Sequence, residues 1–395
     1  MSDSVSDADG FRAGLVAELS CHGWLTTPEW QEAFGAVPRH QFLRRFFALT
    51  ADRSRYEAIG HSDPDWLELV YRNAVWPTQL DGDDRRWEEA RIHGPVIGTP
   101  TCSSTQPSLM TIMLEALDAS DGHRVLEIGT GTGYHAALLA HRLGNSQVVS
   151  VDVDAKLVKQ AGEDLTAAGY APTVEVADGA IGHPGGAPYD RLIATCAVPV
   201  IPPAWLAQMR PGGVVLTNLY RQLVGGSLVC LTVRADGSAT GRLLDDWGAF
   251  MPLRACRRTA PEQLVRLASG QDGAKRTAQL PAPVSADSQT WVVLADLLMR
   301  ETAKVDITRP DGNVQWLVDP DGSWAYHEIS TGIVEQGGPR RPWDELERIH
   351  QLWAVNGEPT RQDIGLTVTP DGEHRVWLHD EMNVVTREGQ AEWRD

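Results

Sequence analysis

The stretch RVLEIGTGTGY, Arg124 to Tyr134, decides the fold. An apolar run, Val125 to Ile128, reads as a strand, and glycines at 129, 131 and 133 follow it directly. From Tyr134 to Leu143 the spacing is helical, and Gly144 stops it. Glycines between a strand and a helix let the backbone approach a ligand closely, with the first helical N–H groups facing it. That pattern points to a nucleotide-like cofactor. A dinucleotide fingerprint would place its third glycine at 134, where this chain has Tyr, so that reading weakens.

Outward from the loop, strands and helices alternate. QVVSVD and TVEVAD read as strands, with a helix over Ala155 to Ala168 between them, and YDRLIATC and RPGGVVLTNL as further strands. Such alternation predicts a parallel sheet covered on both faces. SLVCLTV, Ser227 to Val233, reads as an antiparallel partner at the end of that sheet. Upstream, Phe11 to Phe47 is helically spaced with VPRHQF as its break, and the acidic start MSDSVSDADG reads as a disordered tail. Leu109 to Leu117 predicts a helix with Leu109, Ile112, Met113, Ala116 and Leu117 on one face. His61 to Leu80 is rich in aromatics and reads as a covering segment. Past Pro281 to Ser288, the expected linker, Pro-Asp-Gly at 310–312, 320–322 and 370–372 separates short apolar runs. Those are hairpin signals, and they predict a small β-rich domain with one helix near Trp343 to Trp353.

The acids around the loop sharpen the ligand. Glu127, at the end of the first strand, would suit a cationic group rather than a pyrophosphate. Asp152 ends the next strand, where ribose hydroxyls would be bound, and Asp178-Gly179 ends the third, within reach of an adenine amino group. With Gly129, Thr130, Gly131, Thr132 and Gly133, these residues match S-adenosylmethionine, a sulfonium nucleoside with an amino-acid tail. Formal net charge is -18, from 35 Lys and Arg against 53 Asp and Glu, which repels nucleic acid. No apolar run reaches the ~20 residues of a membrane span, and the start lacks a signal-peptide pattern, so a cytoplasmic enzyme is expected. Five scattered cysteines without C-x-x-C spacing predict neither a disulfide framework nor a metal site. Cys102 and Cys196 read as small core residues, and His40 as a helix-end residue.

Upstream of the glycine loop lies Ser103-Ser104-Thr105-Gln106-Pro107. By itself it is either a helix start or a place where hydroxyls and a helix N-terminus meet a carboxylate. From Phe11 to Leu253 the chain resembles the protein-L-isoaspartate O-methyltransferase family. The blocks run in order: VPRHQF, STQPSLMTIMLEAL, RVLEIGTGTGYHAALLA, VSVDVD, VADGA, APYDRLIAT, IPPAWLAQMRPGGVVL and FMPL. The resemblance implies a Rossmann-like, doubly wound class I methyltransferase sheet in residues 1–256, followed by a smaller β-rich domain in 285–395. It also implies that the hydroxyl before Gln-Pro, here Thr105 with Ser104 beside it, faces the substrate carboxylate, with helix N–H groups on the second oxygen.

Repair enzymes of the family are taken to end near FMPL and to lack the length found between Ser54 and Arg91. On that ground the chain resembles the branch that accompanies ATP-grasp ligases in graspetide biosynthesis. That branch esterifies an aspartate-type carboxylate of a cyclised precursor peptide, and the ester collapses to an aspartimide. The C-terminal domain would then recognise the peptide, with Trp66 to Trp76 as an opposite wall. The alternatives are repair of isoaspartate in damaged proteins and a cofactor-binding scaffold without turnover.

Overall fold

The computed structural model describes residues 2–223, 225–256, 259–280, 284, 290–310, 312–386 and 389–390. Apart from Val284, the expected linker at 281–288 lies outside the described residues, as does Asp311 of the first Pro-Asp-Gly. The chain divides into two compact units, Met1–Cys196 with Ala207–Leu216, and Ala197–Leu206 with Thr217–Asp395.

The first unit opens with α1 (Ser2–Cys21), α2 (Pro28–Ala36) and α3 (Arg39–Phe42). The acidic start is therefore helical rather than a disordered tail. Leu15 and Leu19 are buried, and once that face is packed, extending a helix adds one hydrogen bond per residue fixed. Next come β1 (Arg45–Leu49), β2 (Tyr56–Gly60), α4 (Trp66–Val70), β3 (Trp76–Leu80), α5 (Arg85–His93) and β4 (Pro100–Ser104). β1 pairs antiparallel with β2 and β3 with β4. Phe47, Ala58, Leu80, Ala90 and Val96 form a separate core beneath this covering segment.

Then follow α6 (Pro107–Leu117), β5 (Val125–Ile128), α7 (Tyr134–Leu143), β6 (Val148–Asp152), α8 (Ala155–Ala167), β7 (Thr173–Val176) and β8 (Tyr189–Val198). The order β8-β5-β6-β7 is parallel throughout, with Val125 opposite both Val148 and Arg191. All four residues of β5 are buried, as a strand covered on both faces requires. α6 turns Met110, Met113, Leu114 and Leu117 to the core, so its buried face is rotated from the one the spacing predicts. Tyr134 explains the missing third glycine. Its ring is buried against Phe34 and Phe42, at centroid distances of 6.3 and 5.9 Å.

After α9 (Pro203–Leu206), β9 (Met209–Tyr220) carries the chain from the first unit into the second. The second unit adds β10 (Gly226–Val233), β11 (Ala239–Leu243), α10 (Pro261–Ala268), β12 (Ala274–Thr277), α11 (Thr290–Leu298) and β13 (Ala303–Arg309). It continues with β14 (Gly312–Val318), β15 (Trp324–Glu328), β16 (Ile333–Gly337), α12 (Pro342–Val355), β17 (Ile364–Val368), β18 (His374–Leu378), β19 (Val384–Thr386) and β20 (Gly389–Gln390). β10, β11, β17, β18, β19 and β20 lie side by side in that order, each pair antiparallel. β10 is thus not a terminal strand: β11 is bonded to β17, which lies beyond the expected boundary at 256. A second antiparallel sheet has the order β12-β16-β15-β14-β13, with Trp316 and Trp324 in its core. The turns at 320–322 and 370–372 join β14 to β15 and β17 to β18, with Gly322 and Gly372 at φ 87° and 90°. Among the described residues, no helix is long and apolar enough to cross a membrane.

Candidate functional site

The carboxyl ends of β5, β6 and β7 lie side by side and carry Gly129, Asp152 and Asp178. Strand order reverses between β5 and β8, and such a reversal opens a ligand crevice at the carboxyl edge of a parallel sheet. Gly129 has φ 104°, and a Cβ there would lie 2.7 Å from Thr195 Oγ1. Thr195, on β8, donates to the Gly129 carbonyl at 2.8 Å and so holds the start of the loop. Gly131 donates its N–H to Asp152 Oδ2 at 3.1 Å, and Asp154 N–H donates to Oδ1 at 3.0 Å. Asp152 is half-buried, a carboxylate fixed by two backbone donors with part of its surface open. Asp178 is exposed and accepts from Ala180 N–H at 3.0 Å, while Gly179 is buried.

Glu127, expected to face a cationic ligand, has both oxygens engaged by neighbouring side chains. It is fully buried. His135 Nδ1–H donates to one of its oxygens at 2.6 Å, and the Ser150 hydroxyl donates to the other at 2.5 Å. Ser150 also shares a hydrogen bond with Thr130 Oγ1 at 2.7 Å. Glu127 therefore anchors the glycine loop from below, because β5 turns it into the interior where only hydrogen-bonded carboxylates are tolerated. Thr132 is half-buried on the loop itself.

The hydroxyl stretch lies against this loop. A Cβ built on Gly131 would be 3.6 Å from Cys102 Sγ and 3.9 Å from the Ser103 carbonyl, so β4 runs alongside the cofactor turn. Along β4 the side chains alternate. Cys102 and Ser104 are buried, whereas Thr101, Ser103 and, just past the strand, Thr105 are half-buried. Ser104, 2% exposed, accepts at Oγ from the Arg39 guanidinium at 3.1 Å. The Thr105 hydroxyl makes no hydrogen bond among the described residues. The α6 N-terminus offers less than expected. Pro107 has no N–H, and Ser108 N–H is bonded to Asn73 Oδ1 at 2.9 Å.

Sequence reasoning missed Arg39, Asn73, Ser150, His135 and Thr195. Arg39 carried a signal, as a cation in an apolar block, but its neighbour His40 drew the attention. His40 is half-buried and shares a 2.8 Å hydrogen bond with the Tyr71 hydroxyl, and burial lowers its pKa. The covering segment braces the site's other edge. Gln79 Nε2 donates to Asp84 at 3.1 Å and to Asp154, the N-cap of α8, at 3.4 Å. Trp66 and Trp76 donate their indole N–H groups to the carbonyls of Leu43 and Leu69, and Trp76 packs against Phe46 at a centroid distance of 4.8 Å with the rings tilted by 38°. Those rings are committed to packing within the segment rather than free to form a wall. Cys102 is buried and Cys196 half-buried.

Comparisons agree with this geometry. The family model described as Protein-L-isoaspartate(D-aspartate) O-methyltransferase (PCMT) matches residues 88–235. A protein-L-isoaspartate O-methyltransferase of Methanopyrus kandleri is 41% identical over 205 residues, 51% of this chain and 74% of that protein. One of Methanosarcina mazei is 37% identical over 139 residues, 35% of this chain, which spans about half (55%) of that relative. A solved structure titled protein-L-isoaspartate O-methyltransferase superposes with a TM-score of 0.53 at 22% identity. It covers 93% of this chain and 100% of its own. The likeness of fold therefore runs well past FMPL.

Proposed function

The chain belongs to the protein-L-isoaspartate O-methyltransferase family of S-adenosylmethionine-dependent protein carboxyl methyltransferases, and we propose that it methylates the side-chain-type carboxylate of an isoaspartyl or aspartyl residue in a protein or peptide. The observation that supports the reading is the closeness of the glycine turn to the hydroxyl-bearing strand, which would bring a nucleoside and an acceptor carboxylate together. Gly129, Thr130, Gly131, Thr132 and Gly133 would cradle the cofactor, Asp152 its ribose, and Asp178-Gly179 its base. Glu127 would act from beneath, by fixing Thr130 through Ser150.

When bound, the cofactor supplies a methyl group on a positively charged sulfur. The acceptor carboxylate has an ordinary pKa near ~3.9 and is ionised at neutral pH, so no side chain needs to remove a proton. With the cofactor held by the glycine turn and Asp152, that methyl would be offered to an ionised acceptor oxygen with a neutral thioether as the leaving group, so both charges would be consumed. The task of this chain is orientation and exclusion of water. The hydroxyl of half-buried Thr105, which makes no hydrogen bond among the described residues, would donate to the acceptor. Ser104, buried behind it, would hold the strand end in place. A neutral hydroxyl suits a reaction that consumes charge, because a direct cation would stabilise the starting anion more than the transition state.

The comparisons favour an isoaspartyl acceptor. The finer reading, a cyclised ribosomal peptide of the graspetide kind, is supported by sequence resemblance alone. Transfer of labelled methyl to an L-isoaspartyl peptide and not to its L-aspartyl twin would support the first. Transfer only to an ATP-grasp-cyclised precursor would support the second. No transfer to any of them would sink both and leave the scaffold reading.

A further inference from the structure

We infer that Arg39 is a positioning residue for methyl transfer: its buried guanidinium fixes Ser104 and the carbonyl of Thr105, and so sets where the Thr105 hydroxyl stands against the acceptor carboxylate. This rests on the carboxyl-methylation reading above. Arg39 is completely buried, yet among the described residues no carboxylate lies within ion-pair distance of it. An unpaired buried cation is costly, and such a group persists only where its hydrogen bonds are met. Here Nη1 and Nη2 are met by uncharged oxygens from two segments, while the buried Nε has no partner among the described residues. Nη1 donates to the carbonyls of Val70 at 2.9 Å and Arg72 at 3.2 Å. Nη2 donates to Ala74 O at 3.4 Å, Ser104 Oγ at 3.1 Å and Thr105 O at 3.2 Å.

The same guanidinium carbon lies 5.8 Å from the ring centre of Tyr134, the residue that closes the glycine turn. One side chain thus ties α3 to the covering segment, the hydroxyl stretch and the start of α7. Burial lowers the Arg39 pKa to about 10, so the group stays charged at neutral pH. Its charge is kept one hydroxyl away from the acceptor position. That placement orients without pinning the anion directly. The fork matters, because five acceptors are shared between two amino groups, which the single nitrogen of an ammonium cannot serve.

The test uses the full chain in three variants, Arg39→Lys, Ser104→Ala and the double. Each is assayed for methyl transfer to the isoaspartyl peptide, for S-adenosylhomocysteine affinity by calorimetry, and for melting temperature. Arg39→Lys is expected to lower kcat about a hundredfold, as a misplaced acceptor does, while KM and cofactor affinity stay within about threefold. Ser104→Ala should lower kcat about tenfold, and the double variant should match Arg39→Lys alone, since Ser104 acts only through its bond to Arg39 whereas Arg39 also holds the Thr105 carbonyl. Full rescue by lysine, or additive losses in the double variant, would overturn the assignment. So would a loss that follows melting temperature and leaves the kcat of the folded fraction unchanged. Should Arg39→Lys not fold, wild-type kcat in Ser104→Ala overturns it just as well. A wild-type chain that transfers no methyl to the isoaspartyl peptide, its aspartyl twin or the cyclised precursor defeats the functional reading, and this inference with it. A working wild type with equally active variants defeats the inference alone.

Discussion

Replacing Asp152 with Ala should remove most of the cofactor affinity without unfolding the sheet. The carboxylate sits at the end of β6 and receives two backbone N–H groups, from Gly131 at 3.1 Å and Asp154 at 3.0 Å. Hydrogen bonds to a charged acceptor contribute about 1.5–3 kcal/mol, and the ribose would be held by bonds of that kind. At about 1.4 kcal/mol per factor of ten, the dissociation constant for S-adenosylhomocysteine should rise by about ten- to a hundredfold. Asn is expected to do little better. Its amide turns a donor toward either Gly131 N–H or Asp154 N–H, so one of the two meets a donor where it needs an acceptor. Isothermal titration of wild type, Asp152→Ala and Asp152→Asn with S-adenosylhomocysteine measures the effect, with circular dichroism melting as the control for folding. A dissociation constant within about twofold of wild type in a folded Asp152→Ala protein would remove this residue from the site.

Thr105→Val keeps the side-chain shape and loses the hydroxyl, so kcat should fall about a hundredfold, while Thr105→Ser should retain most of it. Wild-type turnover in the Val variant would show that this hydroxyl takes no part. Glu127→Ala leaves His135 and Ser150 without their buried acceptor, at about 1–3 kcal/mol for each orphaned group, and urea unfolding should register the combined loss. An unchanged urea midpoint would mean that Glu127 is not the anchor of the glycine loop. His374 accepts Ile201 N–H at Nε2 and donates from Nδ1 to the Gly372 carbonyl, and burial pulls its pKa from 6.5 to about 4. The neutral ring is therefore favoured in the folded state, so its stabilisation is complete above pH 6.5 and lost as the pH falls through about 4. At about 1.4 kcal/mol per pH unit between those values, the loss approaches about 3 kcal/mol. Urea unfolding of wild type and His374→Gln at pH 7 and pH 4.5 should show the variant losing less, and equal slopes would refute the assignment.

Much of the parallel sheet could be read from residues 124–198, because each strand and helix there is specified by neighbours in sequence. Val125 to Ile128, the helix Tyr134 to Leu143 and its Gly144 stop are local patterns, and the structure places them where the spacing did. The Pro-Asp-Gly turns at 320–322 and 370–372 are local in the same way. The position of Asp152 beside the glycine loop also followed from sequence, since parallel neighbours β5 and β6 bring their carboxyl ends together.

Other features depended on contacts between distant residues. The partners of Glu127 are of this kind, since β6 sets Ser150 and α7 sets His135 against its two oxygens. Ser104 and Thr105 are adjacent hydroxyls in sequence, but strand alternation buries one and leaves the other half-open. Arg39 is 65 residues from Ser104, and no periodicity links them. The pairing of β11 with β17 joins segments on either side of the composition change. Spacing reports which face of its own element a residue occupies. Only the packed chain decides what that face meets, because a buried polar group takes whichever partner the fold brings to it.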